Sequence, residues 1–371
     1  MRIRTTPELF KLCKAQYQAA KLVTGEADIH LDVLISMDEY EFYLKVNGGI
    51  SSISGGSELS AMWGFYEYLA RFYGYIWQTP TRTYIGEPKP IRNMSYSWKM
   101  PFEMCWFHWQ LPNKWSKWLS QFHRYVSRRP HDTFETKCHQ KGKNGDHATD
   151  WAIIHADKPQ IFAKNADGKI IHGQYEKFDY HNEEFIDLVA EQAINYQSEY
   201  FSLFPTDGGN WNATAIPWKI PLWTWRGWTD MSDYMLHYYS EIAKRVPYKI
   251  FDIYAYGEYA DYPAGTKFEG ERFNCFFVGQ RISKFIEWQE TGCKMFWRPN
   301  LKCDALAIEA NAIEMARQFM RFKEVGMDGF MFDIGGIVME KMELFVYLIS
   351  RQIYVTASVD TLVKEFYVTN K

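Results

Sequence analysis

Apolar and polar positions alternate in two regimes along the chain. From residue 102 onward, short apolar runs rich in aromatic and β-branched residues recur at 102–109, 132–136, 159–164, 199–207, 249–257, 273–279, 293–300 and 329–336. Between them lie polar loops and longer stretches with apolar residues at helical spacing, at 113–127, 183–197, 231–246, 282–291 and 305–325, and a last one at 339–355 follows the eighth run. Strand-like runs alternating with helical stretches announce βα units of a parallel sheet. Eight such runs over about 250 residues is the count of a (β/α)8 TIM barrel, whose sites lie at the carboxyl ends of the strands. The second and third units are irregular, so a doubly wound sheet stays open as the other arrangement.

The first ninety residues follow a different pattern. Residues 28–36 and 41–47 have strand composition, and the Gly- and Ser-rich 48–56 has the composition of a turn-rich connection. The stretch 57–77 predicts a helix, with Ser57 as its cap and Met62, Phe65, Tyr66, Leu69, Phe72 and Tyr73 on one face. A Pro-containing segment then leads to a boundary near residue 93. The expected organisation is a small α/β domain over 1–92 and a barrel over 93–371.

Composition narrows the function. Forty-two Lys+Arg against 45 Asp+Glu leave a net charge of -3, which argues against a nucleic-acid groove. No apolar run has the length of a signal peptide or a membrane span, so a soluble chain is expected: cytoplasmic, or extracellular or virion-associated if a leader was removed or never needed. Six cysteines without any CxxC read as buried thiols rather than metal ligands or a disulfide framework. The unusual quantity is aromatic content, 18% of residues. Flat apolar faces carrying a polar handle suit polar ligands with an apolar side, such as sugars, as well as cores.

If the barrel holds, its strand ends select the chemistry. Asp207 follows the fourth run between Thr206 and two glycines, Glu258 and Asp261 follow the fifth, Trp297 and Arg298 end the seventh, and Asp333 ends the eighth. A pair of carboxylates, one donating a proton and one acting as nucleophile or base, is what glycoside hydrolysis requires. Asp207 is the first candidate, with Glu258 or Asp333 as partner; helix capping or plain hydrogen bonding are the competing roles. Arg298 would bind a carboxylate-bearing sugar through its planar fork, or pair with Asp333. Trp211, Trp223 and Trp225 in the loop after Asp207 would form a stacking platform, or pack that loop onto the barrel. His155 closes a long polar loop in which His131, His139 and His147 also recur; that spacing matches no compact ligand pattern, so no metal and no cofactor is expected.

Several segments also resemble a known family. SAMWGFYEYLARFYGYIWQTP (60–80) is similar to a helix of the small α/β domain that precedes the barrel in family 20 hexosaminidases and family 67 α-glucuronidases. PQIFAKNADGKII (159–171), YHNEEFIDLVAEQAINY (180–196), SLFPTDGGNW (202–211) and KIFDIYAYGEYADYP (249–263) resemble, in order, the succession found in bacterial proteins of the domain of unknown function 4838. The resemblance implies a small α/β domain, a barrel and a glycoside hydrolase, with Asp207 on the family's strand-end Asp and Tyr256 on its Ala-Tyr. The adjacent Asp-Glu pair of family 20 is Thr206-Asp207 here, which does not match their substrate-assisted mechanism. NWNATAIPW (210–218) replaces the Cys-rich element of the family, so no metal role carries over. A carbohydrate hydrolase is therefore expected, with a non-catalytic carbohydrate-binding protein of the cell surface or virion as the alternative.

Overall fold

A computed structural model describes residues 2–23, 28–108, 112–128, 157–165, 167–171, 178–205, 220–221, 229–262, 268–301, 303–333 and 339–369. The chain divides into two compact units, one of 1–126, 301–321 and 334–371, the other of 127–300 and 322–333.

In the first unit, β1 (Arg2–Arg4), α1 (Pro7–Val23), β2 (Asp28–Val33), β3 (Glu41–Asn47), β4 (Ile50–Gly55), α2 (Glu58–Tyr73), β5 (Tyr75–Thr79), β6 (Arg82–Ile85) and β7 (Met94–Lys99) follow in order. The main sheet runs β1-β2-β4-β3-β7, and β5 and β6 form a hairpin. Ser57 caps α2 as expected: its hydroxyl accepts from the Ser60 amide while the Ser60 side chain accepts from the Ser57 amide, a reciprocal pair that contributes about 1 kcal/mol. All six apolar residues named for that helix face are buried, packed with Phe42, Leu44 and Ile53 of the sheet.

Two expectations for this unit change. The segment 48–56 is a strand over most of its length, because Ser51, Ile53 and Gly55 alternate inward with period two and its small residues fit beneath α2. The sheet also takes in β7, beyond the boundary expected near residue 93, through an antiparallel register that pairs Phe42 with Trp98 and Leu44 with Tyr96.

Next come β8 (Met104–His108) and α3 (Asn113–His123), then, in the second unit, α4 (Glu183–Asn195), β9 (Tyr200–Ser202), the two-residue strands β10 (Ile220–Pro221) and β11 (Thr229–Asp230), α5 (Ser232–Arg245), β12 (Ile250–Ala255), β13 (Phe273–Phe277), α6 (Ile282–Gln289) and β14 (Lys294–Trp297). After α7 (Cys303–Leu306) and α8 (Glu309–Glu324), β15 (Gly329–Asp333) belongs to the second unit, whereas α9 (Glu343–Gln352) and α10 (Val359–Tyr367) belong to the first. Within the second unit the parallel order is β15-β14-β13-β12-β9.

The fold is thus mixed α/β with a parallel sheet, and six parallel strands rather than eight stand among the described residues; the expected strand at 132–136 lies outside them. The expected strand at 159–164 is instead a 3-10 turn, Pro159–Ile161, followed by isolated bridges from Phe162 to Phe178 and from Lys164 to Ile170. Pro159 brings a fixed φ and no amide donor to the start of that run, which suits the first turn of a 3-10 helix. Among the described residues no helix is long and apolar enough to cross a membrane. Cys13, Cys105, Cys275 and Cys293 are buried free thiols, as expected.

Candidate functional site

Side chains alternate across a strand, so 252, 254 and 256 share one face of β12 and its continuation. On that face Asp252 accepts a 2.9 Å hydrogen bond from Asn274, both buried in the sheet. Toward the carboxyl ends comes an aromatic layer. Tyr254 stacks on Phe204 with centroids 3.8 Å apart, and Phe276 meets Phe204 edge-on and stacks on Phe296 at 4.9 Å.

Beyond this layer, at the strand ends, polar groups gather. The Arg298 guanidinium lies over the Tyr254 ring at 4.9 Å, donates to Asp333 Oδ2 at 2.8 Å and donates through Nη1 to Asn300 Oδ1. Asn300 Nδ2 in turn reaches Tyr256 Oη at 3.5 Å. Arg298 is only 8% exposed, so its charge is neutralised inside the cluster rather than by solvent. Asn300 and Asp333 also form an isolated parallel bridge that extends the pairing of β14 and β15 past its regular end.

Glu258 stands half-buried in a single 3-10 turn, Gly257–Tyr259, directly after Tyr256. Gly257 takes φ +56°, a left-handed conformation that lets β12 break sharply and present Glu258 at the strand end. The backbone carbonyl of Glu258 accepts from the Met231 amide at 2.6 Å, fastening this turn to the start of α5.

The structure links three of the expected site residues, Tyr256, Arg298 and Asp333, through Asn300, and Glu258 follows Tyr256 by two positions at the end of the same strand. Of the two roles open to Arg298, pairing with Asp333 is the one observed. Asp261 stands apart, 3.7 Å from Lys284 Nζ in α6. Trp297 is a correction: its ring is fully buried, stacked on Phe322 at 4.5 Å, with Nε1 donating to the Gly279 carbonyl at 2.8 Å, so it is core and not a stacking surface. Asp207, Trp211, Trp223, Trp225 and His155 lie outside the described residues.

Asn300, Tyr254 and Phe204 complete the cluster and were not anticipated. Asn300 stood within the run 293–300, two positions after Arg298, and the rule that parallel-sheet sites lie at strand ends applied to it equally. Among the described residues no group of His, Cys, Asp and Glu side chains has the arrangement to hold a metal ion. Chemically, the cluster offers hydrogen-bond donors and acceptors above an aromatic floor, with carboxylates outnumbering cations.

No protein-family model and no curated protein matches the chain. Solved structures resemble it in fold. The chitobiase of Flavobacterium johnsoniae is 10% identical with a TM-score of 0.52, over 98% of this chain and 67% of that one. A glycoside hydrolase family 20 β-N-acetylglucosaminidase is 10% identical with a TM-score of 0.50, over 98% and 89%. A family 89 glycoside hydrolase of Clostridium perfringens, in complex with PUGNAc, is 10% identical with a TM-score of 0.49; the match covers 98% of this chain and 50% of that chain, so this chain spans about half its length. At such identity the likeness is one of fold: this chain has a fold similar to that of family 20 glycoside hydrolases.

Proposed function

We propose that the chain is a glycoside hydrolase that acts on a neutral, hexosamine-containing glycan, with Asp207 as general acid and Glu258 as its carboxylate partner. Asp333 then serves as the anchor of Arg298. The reading includes a complete (β/α)8 barrel behind a small α/β domain, kinship with the domain 4838 proteins, and Trp211, Trp223, Trp225 and His155 as walls of the cleft.

The observation that carries it is the engagement of Arg298 by Asp333 and Asn300 at the carboxyl ends of the parallel strands, where a half-buried Glu258 stands in the turn that ends β12. A guanidinium whose fork is already engaged by Asp333 and Asn300 has little to offer a uronic acid carboxylate. This supports a neutral sugar over a uronic acid.

Turnover of aryl N-acetylhexosaminides and of uronic-acid oligosaccharides by the wild type, Asp207→Asn and Glu258→Gln tests the proposal. Hydrolysis of the hexosaminides alone is expected, falling about 10²–10⁴-fold in either variant. A wild type no faster than buffer on every substrate removes the catalytic reading.

A second reading, a non-catalytic carbohydrate-binding protein, is favoured by the ion pairs that occupy Asp333 and Asp261 at 2.8 and 3.7 Å. Glycan-array binding that survives Asp207→Asn without hydrolysis would select it.

A further inference from the structure

The first unit holds a cavity of about 380 Å³ beside the amino end of α2. Its walls come from α1, the β2–β3 connection, α2 and α3. The volume lies within the range of small-molecule sites and admits about a dozen non-hydrogen atoms, at ~30 Å³ each as in a liquid. Leu12, Leu59 and Met62 give the cavity an apolar side. Glu39 and Glu58 give it two exposed carboxylates that have no ion pair among the described residues. Ser57 Oγ donates to the Glu39 carbonyl at 2.7 Å, which draws Glu39 to the residue next to Glu58.

Tyr66 adds a buried hydroxyl to the same wall. The residue is 3% exposed, its ring packs on Trp77 and Phe122 with centroids 5.3 and 4.8 Å away, and its Oη has no hydrogen-bond partner among the described residues. A buried hydroxyl left unpaired costs free energy that a ligand supplying a partner recovers. Burial pushes the phenol pKa up, so the group is a neutral O–H that both donates and accepts.

The charge around the cavity decides between ligands. The amino end of a helix favours an anion by itself. Here Ser57 and Ser60 already satisfy each other's amides, Glu58 carries negative charge in the first turn, and among the described residues no Lys, Arg or His lines the cavity. An anion is therefore opposed by two carboxylates and a cation is paired by them. A pure hydrocarbon would leave Tyr66 unpaired, and a polyol would leave the apolar side and both carboxylates unused.

We propose that this cavity binds a small organic cation: a primary ammonium on an apolar body that ends in a hydroxyl. The ammonium pairs with Glu39 and Glu58, the body lies against Leu12, Leu59 and Met62, and the hydroxyl partners Tyr66. The site is independent of the hydrolase reading and of the residues assigned to it.

Tyramine, which carries these three parts on ten non-hydrogen atoms, is the probe. Calorimetry on the full chain compares it with phenethylamine, which lacks the hydroxyl, with 4-ethylphenol, which lacks the charge, and with 3-(4-hydroxyphenyl)propionate, which reverses it. Tyramine is expected to bind about 3–10-fold more tightly than phenethylamine and about tenfold more tightly than 4-ethylphenol, with the propionate weakest. The double variant Glu39→Gln/Glu58→Gln should bring tyramine down to the level of 4-ethylphenol. Tyr66→Phe should make tyramine and phenethylamine equal without lowering the thermal midpoint, since it removes an unpaired hydroxyl and keeps the ring. Circular dichroism confirms that the exposed glutamate substitutions leave the fold intact. If no probe binds the wild type at millimolar concentration, or if tyramine binds the wild type and the glutamate variant alike, the site is overturned. If the propionate binds as tightly as tyramine, the preference for a cation is overturned; if Tyr66→Phe keeps the margin between the two amines, the role of the hydroxyl is.

Discussion

Trp297 and Arg298 are neighbours in the chain and part company at the end of β14. The indole turns to the helix side, stacked on Phe322 of α8, while the guanidinium turns to the other face, over Tyr254 and against Asp333. One residue is packing and the next belongs to the candidate site, a division that follows from the two-residue period of a strand.

Because Trp297 is fully buried, its removal is a matter of stability. Trp297→Ala should cost about 3–5 kcal/mol in urea unfolding, and Trp297→Phe about 1–2 kcal/mol, the latter through the lost Nε1 bond and a smaller ring. If Trp297→Ala unfolds at the wild-type midpoint but loses sugar binding, the ring belongs to the cleft after all.

The pairing of Arg298 with Asp333 spans 35 positions of sequence, and the Asp side chain is 27% exposed, so it counts for less than a fully buried pair. Arg298→Met leaves the carboxylate without its cation and should destabilise by about 2–3 kcal/mol. Asp333→Asn should cost about 1–2 kcal/mol, and the double variant less than the sum, with a coupling of about 1–2 kcal/mol. Additive losses in a double-mutant cycle would mean that the two groups act independently.

Much of the fold is legible in the sequence, since most strand runs and helical faces follow periodicity: six of the expected parallel strands, at 104–108, 200–202, 250–255, 273–277, 294–297 and 329–333, stand within their predicted windows. Where composition competes with periodicity, it misleads. Gly and Ser at 48–56 argue for a turn, yet the alternation of Ser51, Ile53 and Gly55 makes a strand. Apolar 159–164 argues for a strand, yet Pro159 starts a 3-10 turn. The candidate site is legible in outline, because strand ends can be located from sequence. Its pairings are not: whether Arg298 meets Asp333 or a ligand depends on distances between strands, and the burial of Trp297 depends on a helix that begins twelve residues later.

His123 gives the first unit a pH dependence. It is wholly buried, with Nε2 bonded to the Trp77 carbonyl at 2.8 Å and Nδ1 3.1 Å from the Tyr354 hydroxyl. Burial, and then the nearby Arg351 charge, push its pKa well below 6.5. The unfolded chain therefore takes up a proton near pH 6.5 that the folded chain refuses, so stability should be flat above that pH and fall as pH drops below it, by up to about 1.4 kcal/mol per pH unit. His123→Gln keeps a donor for Trp77 and removes the titration. Thermal midpoints recorded between pH 7 and 5 should show a steeper loss for the wild type than for the variant, and parallel profiles would exclude His123 as the source.

Gly56 is required for a different reason from Gly257, namely space. A Cβ placed there would stand 1.9 Å from the Asp38 carbonyl oxygen and 2.5 Å from its carbon, and backbone atoms cannot swing aside as the end of a side chain does. That carbonyl is tied into the β2–β3 connection, where it accepts from the Glu41 amide at 3.0 Å, and the Gly56 amide itself donates to the Glu41 carbonyl at 3.0 Å. Relieving the clash means moving the connection or the end of β4, just before the Ser57 cap of α2. Gly56→Ala should therefore cost at least about 3 kcal/mol, at the upper end of overpacking substitutions, and lower the thermal midpoint by several degrees. Ser52→Ala, exposed on the same strand, should change it by less than about 0.5 kcal/mol. Equal midpoints for the two variants would show that the connection yields freely, and the glycine would then have no packing role.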